Sequence, residues 1–435
     1  MPKKKFQTIQ SLRGMHDILP QDQVYWERVR RVFKELAEDY GFARIDTPLV
    51  EEAALFVRGT GETSEVVEKQ MYIFKTKGGD NVSLRPEGTP GVARAYIEHG
   101  MVELPHPVKL YYFGPMFRYE SPQAGRYRQF YHAGVEMIGG QEPVLDAQII
   151  QFFLHFLNNL GLKKLEVHIN SLGCPDCRPA FRRALSGYYR SKKSHLCSDC
   201  QQRLKANPLR LLDCKDEKCQ PIKAGAPLML DYLCTQCRHH FKAVLEFLEE
   251  LEIPYFLNNH LVRGLDYYTK TVFEIFREQD KEEFESEALG SALGGGGRYD
   301  ELIKVLGGKP TPAVGAALGV ERVIDLMKEQ GVKIGPRSSP KVFLVQLGEL
   351  GQRKILKLFG ELHQAQIPVA ESVSKSSIKA QLKIADRLGV KFAVILGQQE
   401  ALEGTVILRD MQSGVQEIIP RSKVVNELKK RLAKK

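Results

Sequence analysis

The sequence predicts an α+β body, interrupted by an insertion and followed by a separate α/β domain. Three observations carry this. Hairpin-like strand pairs are interleaved with amphipathic helices, as in Met71–Lys75 with Asn81–Leu84 and again across Tyr111–Gly140. All eight cysteines fall between Cys174 and Cys237, in a basic stretch poor in β-branched residues that reads as mostly helical. Beyond GVKIGPRSSP, a linker by composition, strands and helices alternate afresh. The expected division is 1–170 and 241–330 for a split body, 171–240 for the insertion, 331–340 for the linker and 341–435 for the last domain.

At 435 residues the chain can bury two to four cores. No run approaches the ~18 apolar residues of a membrane span. The start, MPKKKFQTIQ, lacks the apolar stretch of a secretory signal. A cytoplasmic protein without a membrane partner is expected. The net charge of +10 favours polyanionic partners such as nucleic acid. No lysine or arginine block stands out, so the excess is spread over folded surfaces.

In chain order, a helix is expected after Asp22, with Val24, Val29, Val32, Phe33 and Leu36 on one stripe and a stop at Tyr40–Gly41. Phe42–Ile45 is a short strand. The run Arg85-Pro86-Glu87-Gly88-Thr89-Pro90 turns strand into helix, with Thr89 as the cap and Pro90 in the first turn. A carboxylate at that junction, Glu87, can hold an ammonium group or simply face the helix dipole.

The stretch Tyr111–Gly140 reads as strand, polar reversal, strand, with Ser121–Gly125 at the turn. Alternation puts Arg118 with Glu120 on one face, and groups Arg128, Phe130, His132, Gly134 and Glu136 on a face of the second arm. Guanidinium, ring, imidazole and carboxylate side by side suit a phosphate, a flat base and a cation. A solvated surface hairpin is the plainer alternative. A helix follows over Val144–Leu160, then a strand at Leu165–Asn170.

The cysteines come as Cys174/Cys177, Cys197/Cys200, Cys214/Cys219 and Cys234/Cys237. In a cytosolic chain such pairing reads as zinc before disulfides, enough for two four-thiolate sites. Reduced or redox-active thiols are the alternative. A helix over His239–Leu251 and a strand at Tyr255–Leu257 return to the body. LVRGLDYY (Leu261–Tyr268) then offers a fixed cation and hydroxyls, ahead of a strand at Thr271–Phe276. The glycines of GGGGRYD (Gly294–Asp300) admit close approach of a ligand to backbone, without the Gly-Lys-Ser/Thr ending of a P-loop. Ala313–Leu318 is a strand leading through Gly319-Val320-Glu321-Arg322 into a helix. A cation in a first helical turn is disfavoured unless an anion sits nearby. The last domain alternates strands and helices, which implies a largely parallel sheet, and its basic residues make it a candidate nucleic-acid module.

Together these residues resemble a class II aminoacyl-tRNA synthetase, of the histidyl-tRNA synthetase family. The resemblance spans nearly the whole chain outside the cysteine-rich segment. Tyr40–Glu51 is similar to the class's first motif, a dimer element. Phe117–Glu120 through Arg126–Phe130 is similar to the second, and Gly319–Arg322 to the third. LVRGLDYY and GGGGRYD are the histidine-specific signatures. The resemblance implies a catalytic domain with an antiparallel sheet flanked by helices, and an anticodon-binding domain at 341–435. It implies a homodimer that takes ATP with Mg2+, L-histidine and tRNA-His, forms histidyl-adenylate and transfers the histidyl group. Arg118, Arg263 and Arg322 become the catalytic cations. Arg118, Glu120, Arg126, Phe130 and Arg322 become the ATP contacts. Glu87 and Thr89 would meet the histidine ammonium, with Gly88, Arg118, Arg263 and Tyr267 also in the histidine site. Glu136 and Tyr268 would read the imidazole, and Ser121–Gly125 the acceptor end. The family usually carries glutamine where this chain has His132, beside the ammonium. Histidine there substitutes as a donor or rearranges the contact.

Two other functions fit parts of the chain. A non-catalytic, histidine-sensing regulatory subunit of an ATP phosphoribosyltransferase shares the core but typically lacks the last domain and the phosphate arginines. A nucleic-acid-binding zinc protein would leave the remaining motifs unexplained.

Overall fold

The computed structural model describes residues 8–61, 64–121, 125–278, 292–334, 340–372, 374 and 377–433. The chain divides into two compact units, Met1–Ile334 and Gly335–Lys435.

The first unit is built on an eight-stranded sheet. From one edge its strands are Ala43–Arg44, Val108–Phe117, Gln129–Ile138, Ala313–Gly319, Gly294–Arg298, Thr269–Arg277, Leu165–Ser171 and Tyr255–Leu257. The six central strands pair antiparallel, and each edge strand joins in parallel. This is the expected α+β body. A smaller sheet pairs Val50–Glu52, Asn81–Leu84 and Ile73–Lys75 antiparallel.

Strand period two sorts the long hairpin. Ala133, Val135 and Met137 enter a core shared with Phe33, Phe152, Phe153 and Phe156. Helices Gln23–Asp39, Pro143–Asn159, Thr235–Glu250 and Val320–Glu329 all contribute to that core. Trp26, absent from the expected stripe, is buried in it. The other face packs a second apolar cluster around Val108, Leu110, Tyr112 and Val272, with the helix Thr89–Glu98 against it.

The glycine run is a central strand, and two of its residues, Gly294 and Gly295, border the cleft described below. A Cβ at Gly294, Gly295, Gly296 or Gly297 would come within 2.3, 2.3, 2.1 and 2.3 Å of a neighbouring strand's carbonyl oxygen. The close approach that glycine allows is therefore mainly strand to strand. The run ends at Arg298, fully buried, whose Nε donates to Asp146 Oδ2 at 2.8 Å. His240 holds the other oxygen of Asp146 at 3.3 Å.

Leu172 to Cys234 forms short helices and 3-10 turns around its own small core, which includes Phe181, Leu185, Tyr189, Leu204 and Leu211.

The second unit has a five-stranded sheet ordered Val369–Glu371, Val342–Gln346, Phe392–Leu396, Thr405–Asp410, Gln416–Pro420. The first two pairings are parallel and the last two antiparallel. The sheet is thus mixed rather than largely parallel. The strand Gln416–Pro420 follows a tight reversal in which Asp410 Oδ1 accepts from the backbone N–H groups of Gln412 and Ser413 at 2.9 and 2.8 Å. So short a connection forces antiparallel pairing, since a parallel partner needs a crossover.

Candidate active site

A cleft of ≈ 350 Å³ opens on this second face of the large sheet. Its depth is set by one aromatic ring. Tyr112 pairs across the hairpin with Gly134, and a Cβ on Gly134 or on Gly88 would come within 2.3 or 2.4 Å of that ring. Both glycines are needed for the ring to lie flat beneath the cleft.

The Tyr112 hydroxyl donates to Glu136 Oε1 at 3.3 Å. Thr89 Oγ1 donates to the same oxygen at 2.7 Å, and Tyr299 to Oε2 at 2.6 Å. Glu136 is fully buried and lies under the cleft rather than on its wall. Burial pushes its carboxyl up to about 7, against the pull of the three hydroxyls. Thr89 is therefore not the helix cap its position suggests. The helix Thr89–Glu98 starts one residue earlier than expected, with side-chain-less Gly88 at its N-cap, and the Thr89 hydroxyl goes instead to a carboxylate 47 residues away.

Glu87 is on the wall. Tyr267 donates to its Oε2 at 2.6 Å, while Oε1 is buried without a partner. Burial raises this carboxyl to about 7, opposed by Tyr267, Arg118 and Arg263. A buried carboxylate oxygen with nothing to accept from is suited to a cationic ligand.

The cations face it. Arg118 Nε donates to the Pro86 carbonyl at 2.9 Å, and its guanidinium lies 5.5 Å from the Phe130 ring centre. Arg263 pairs with Glu274 and sits 5.5 Å from the Tyr268 ring centre. Arg322 donates to the carbonyls of Gly125 and Ala292 at 2.9 and 2.6 Å. Its neighbour Glu321 accepts from the Tyr131 backbone N–H at 3.0 Å, which pins this helix start to the hairpin. Glu120 stands between Arg118 and Arg126, at 4.0 and 3.9 Å. Arg128 instead stacks on Tyr119, 3.8 Å from the ring centre, and is not part of the cleft wall.

His132 lines the cleft with its Nδ1 unpartnered. Burial, then Arg118, Arg322, Arg85 and Arg263, hold its pKa well below the usual histidine range, so the ring is neutral.

The cleft thus gathers Glu87, Gly88, Thr89, Arg118, Glu120 and Arg126, with Phe130, His132, Arg263, Tyr267, Tyr268 and Arg322. Glu136 reaches it only through Thr89 and Tyr112. Within the turn Ser121–Gly125, residues 122–124 lie outside the described residues. Sequence reasoning missed Tyr112, Tyr299 and Glu321. Tyr112 could have been found from the glycine at its cross-strand partner.

The cysteines form two quartets. Cys174, Cys177, Cys234 and Cys237 make one, and Cys197, Cys200, Cys214 and Cys219 the other, with the sulfurs of each within 4.8 Å of one another. Backbone N–H groups point at sulfur: Cys234 to Cys177 at 3.1 Å, Cys197 to Cys219 at 3.3 Å and Cys200 to Cys197 at 3.4 Å.

A family model described as Histidyl-tRNA synthetase matches residues 14–323, and one described as Anticodon binding domain matches 341–431. A histidine–tRNA ligase of Dehalococcoides mccartyi is 47% identical over 423 residues, spanning 97% of this chain and 100% of its own. One from Pelotomaculum thermopropionicum is 44% identical over 420 residues, spanning 97% of each chain. Among solved structures, apo histidyl-tRNA synthetase of S. aureus matches with a TM-score of 0.79 and 35% identity, over 97% of this chain and 100% of that one. A Bacillus halodurans protein described as an ATP phosphoribosyltransferase regulatory subunit/histidyl-tRNA synthetase covers 90% of this chain and 99% of its own, at a TM-score of 0.62 and 19% identity, and shares the fold alone.

Proposed function

The chain belongs to the histidyl-tRNA synthetase family, and from that premise we propose a division of roles across its cleft. It is a histidine–tRNA ligase, which activates histidine with ATP and passes the histidyl group to tRNA. The regulatory-subunit alternative is disfavoured by the full-length matches to ligases and the matched anticodon-binding domain.

The gathering of Arg118, Arg263 and Arg322 in one cleft with the unpartnered Glu87 oxygen carries the assignment. ATP enters as its Mg2+ complex. A histidine carboxylate oxygen attacks the α-phosphorus, and pyrophosphate leaves. Arg118 and Arg263 meet the charge that builds on the α-phosphate, and Arg322 holds the far end of the triphosphate. Adenine stacks on Phe130, with Glu120 and Arg126 beside the nucleotide. Little covalent chemistry is asked of the protein, and positioning does most of the work.

The ammonium binds Glu87 and Thr89 over the bare Gly88 backbone. Thr89 can accept from it while its own proton goes to Glu136. Neutral His132, in place of the glutamine usual in the family, presents its unpartnered Nδ1 as an acceptor rather than the expected donor, since an ammonium can only donate. Tyr268 meets one imidazole nitrogen, and Glu136, beneath the cleft, acts on the other through the Thr89 and Tyr112 hydroxyls it holds, with Tyr267 fixing Glu87. Substrates lacking both nitrogens leave buried groups unpaired and are rejected. Histidine-dependent exchange of pyrophosphate into ATP tests the whole scheme. A folded chain without exchange would sink it.

Zinc fills both cysteine quartets in this reading, with a stabilising role. Tetrahedral Zn–S bonds of about 2.3 Å set sulfurs about 3.8 Å apart. The contacts of 3.6 Å for Cys174–Cys177, 4.0 Å for Cys174–Cys234 and 3.9 Å for Cys197–Cys214 support that spacing. Elemental analysis tests it, with two zinc ions per chain expected.

The active form is a homodimer joined through the Tyr40–Glu51 region. Leu49, Val50, Ile73 and Phe74, on or beside the small sheet, expose 43–50% of their surface and offer an apolar contact. A monomer by sedimentation would overturn this. No helix among the described residues is long and apolar enough to cross a membrane. Residues 341–435 bind the tRNA anticodon arm, the 121–125 turn faces the acceptor end, and the reaction runs in the cytoplasm.

A further inference from the structure

The inner quartet, Cys197, Cys200, Cys214 and Cys219, closes the base of an excursion whose tip grips the segment assigned above to histidine recognition. From this base the chain runs out along Ser198–Ala206, turns at Asn207 and returns through the 3-10 helix Pro208–Asp213. At the tip, Asn207 Nδ2 donates to Asp266 Oδ1 at 2.9 Å, and Arg210 Nη1 donates to the Gly264 carbonyl at 2.9 Å. Arg210 is buried, and Glu65 and Asp213 hold its Nη2 at 3.3 and 3.7 Å. Its fork is therefore fixed before it meets Gly264.

The gripped segment has no helix or strand of its own between Leu257 and Thr269. Irregular backbone must find its partners elsewhere. The Asp266 N–H finds the Thr60 carbonyl at 3.0 Å, and Gly264 and Asp266 find the excursion. The next residue, Tyr267, donates to Glu87, so a shift at 264–266 passes straight to the group that meets the ammonium.

We infer that zinc in the inner quartet is a positioning device for histidine recognition, acting through Asn207 and Arg210 on Gly264 and Asp266. Neither residue needs to touch the amino acid. Arg210 borders the outer cleft, whereas Asn207 does not line it, which makes Asn207 the cleaner probe. The inference rests on the readings that the quartets hold zinc and that Leu261–Tyr268 serves histidine.

The test uses the full chain in the exchange assay, with zinc counted by elemental analysis. Wild type should hold two zinc ions, and Cys214→Ser one. Asn207→Asp, which sets a carboxylate against Asp266, should raise the histidine KM on the order of tenfold while the ATP KM moves less than about twofold. Arg210→Ala should do the same, and Arg210→Lys should recover part of the loss. Both keep all eight thiols, so they decide even where Cys214→Ser fails to fold. Two zinc ions with an unchanged histidine KM in Asn207→Asp and Arg210→Ala overturn this inference alone, as do parallel rises in both KM values. Fewer than two zinc ions in wild type overturn the zinc reading and this inference with it.

Discussion

The cleft and the cysteine-rich insertion are ordered by different forces. The cleft hangs on an eight-stranded sheet, where strand alternation alone sends Phe130 and His132 one way and Ala133 and Val135 the other. The insertion has no strand between Leu172 and Cys234 and buries only a small core. A unit of that size gains too little from apolar burial to hold one shape, and needs staples. Its quartets are nested. The outer one joins the two ends of the insertion through Cys174 and Cys234, 60 residues apart, and the inner one closes the excursion within. A site on a sheet is rigid by default, whereas one propped through the quartets would be only as rigid as the metal proposed for them.

Metal removal should separate the two regions most sharply. Losing the outer closure removes a cross-link over a loop worth about 4 kcal/mol in chain entropy, close to a thousandfold in the local folding equilibrium. After strong chelation, proteolysis should cut within Leu172–Cys234. The chain's single tryptophan, Trp26, packs 4.9 Å from Tyr131 in the sheet core, so its fluorescence should hardly change. Loss of both signals together would mean that the body depends on the metal too.

Arg118→Ala probes the opposite case. Exchange should fall by about 10²–10³ through lost stabilisation of the α-phosphate charge, with zinc content intact and little change in melting temperature. A variant that loses zinc would tie the two regions together.

Glu87→Gln comes next. Loss of a charged hydrogen bond should raise the histidine KM by about ten- to a hundredfold. Wild type should also show a pH dependence. Burial raises Glu87 to about 7, so in the empty enzyme it holds a proton below that pH, and the ammonium binds the ionised form. The histidine KM should therefore fall as pH rises through about 7, and Glu87→Gln should remove the share of that slope due to this carboxyl. The same slope in both proteins would exclude Glu87 as its source.

His132→Gln should have the smallest effect. With His132 neutral, glutamine offers a comparable acceptor, and the histidine KM should stay within about threefold of wild type, less than about 1 kcal/mol. A large loss would give the imidazole a role that an amide cannot fill.

Much of the body was legible because its signals are local. The faces of the hairpin follow from period two, and Arg322 in a first helical turn already asked for an anion. Thr89 misled because the helix starts one residue early, with Gly88 at its N-cap, and the partner its hydroxyl takes instead, Glu136, lies 47 residues on. Tyr299 meets the same carboxylate from 163 residues away, a distance no spacing rule spans. The cysteine spacing suggested two four-thiol groups, but four pairs can join two by two in three ways. The nested choice depends on how the insertion's helices pack. The grip of Asn207 and Arg210 on 264–266 has no sequence signal, since it joins two irregular segments through one side-chain and one backbone acceptor.

The glycine strand carries a consequence for how freely the gene can vary. At Gly294, Gly295, Gly296 and Gly297 even a methyl group would meet a neighbouring carbonyl oxygen within 2.3 Å. In a saturation library scored for growth, these four codons should stand as a block that tolerates no replacement. Phe130 and the arginines line the same cleft, and there a conservative exchange should still leave survivors.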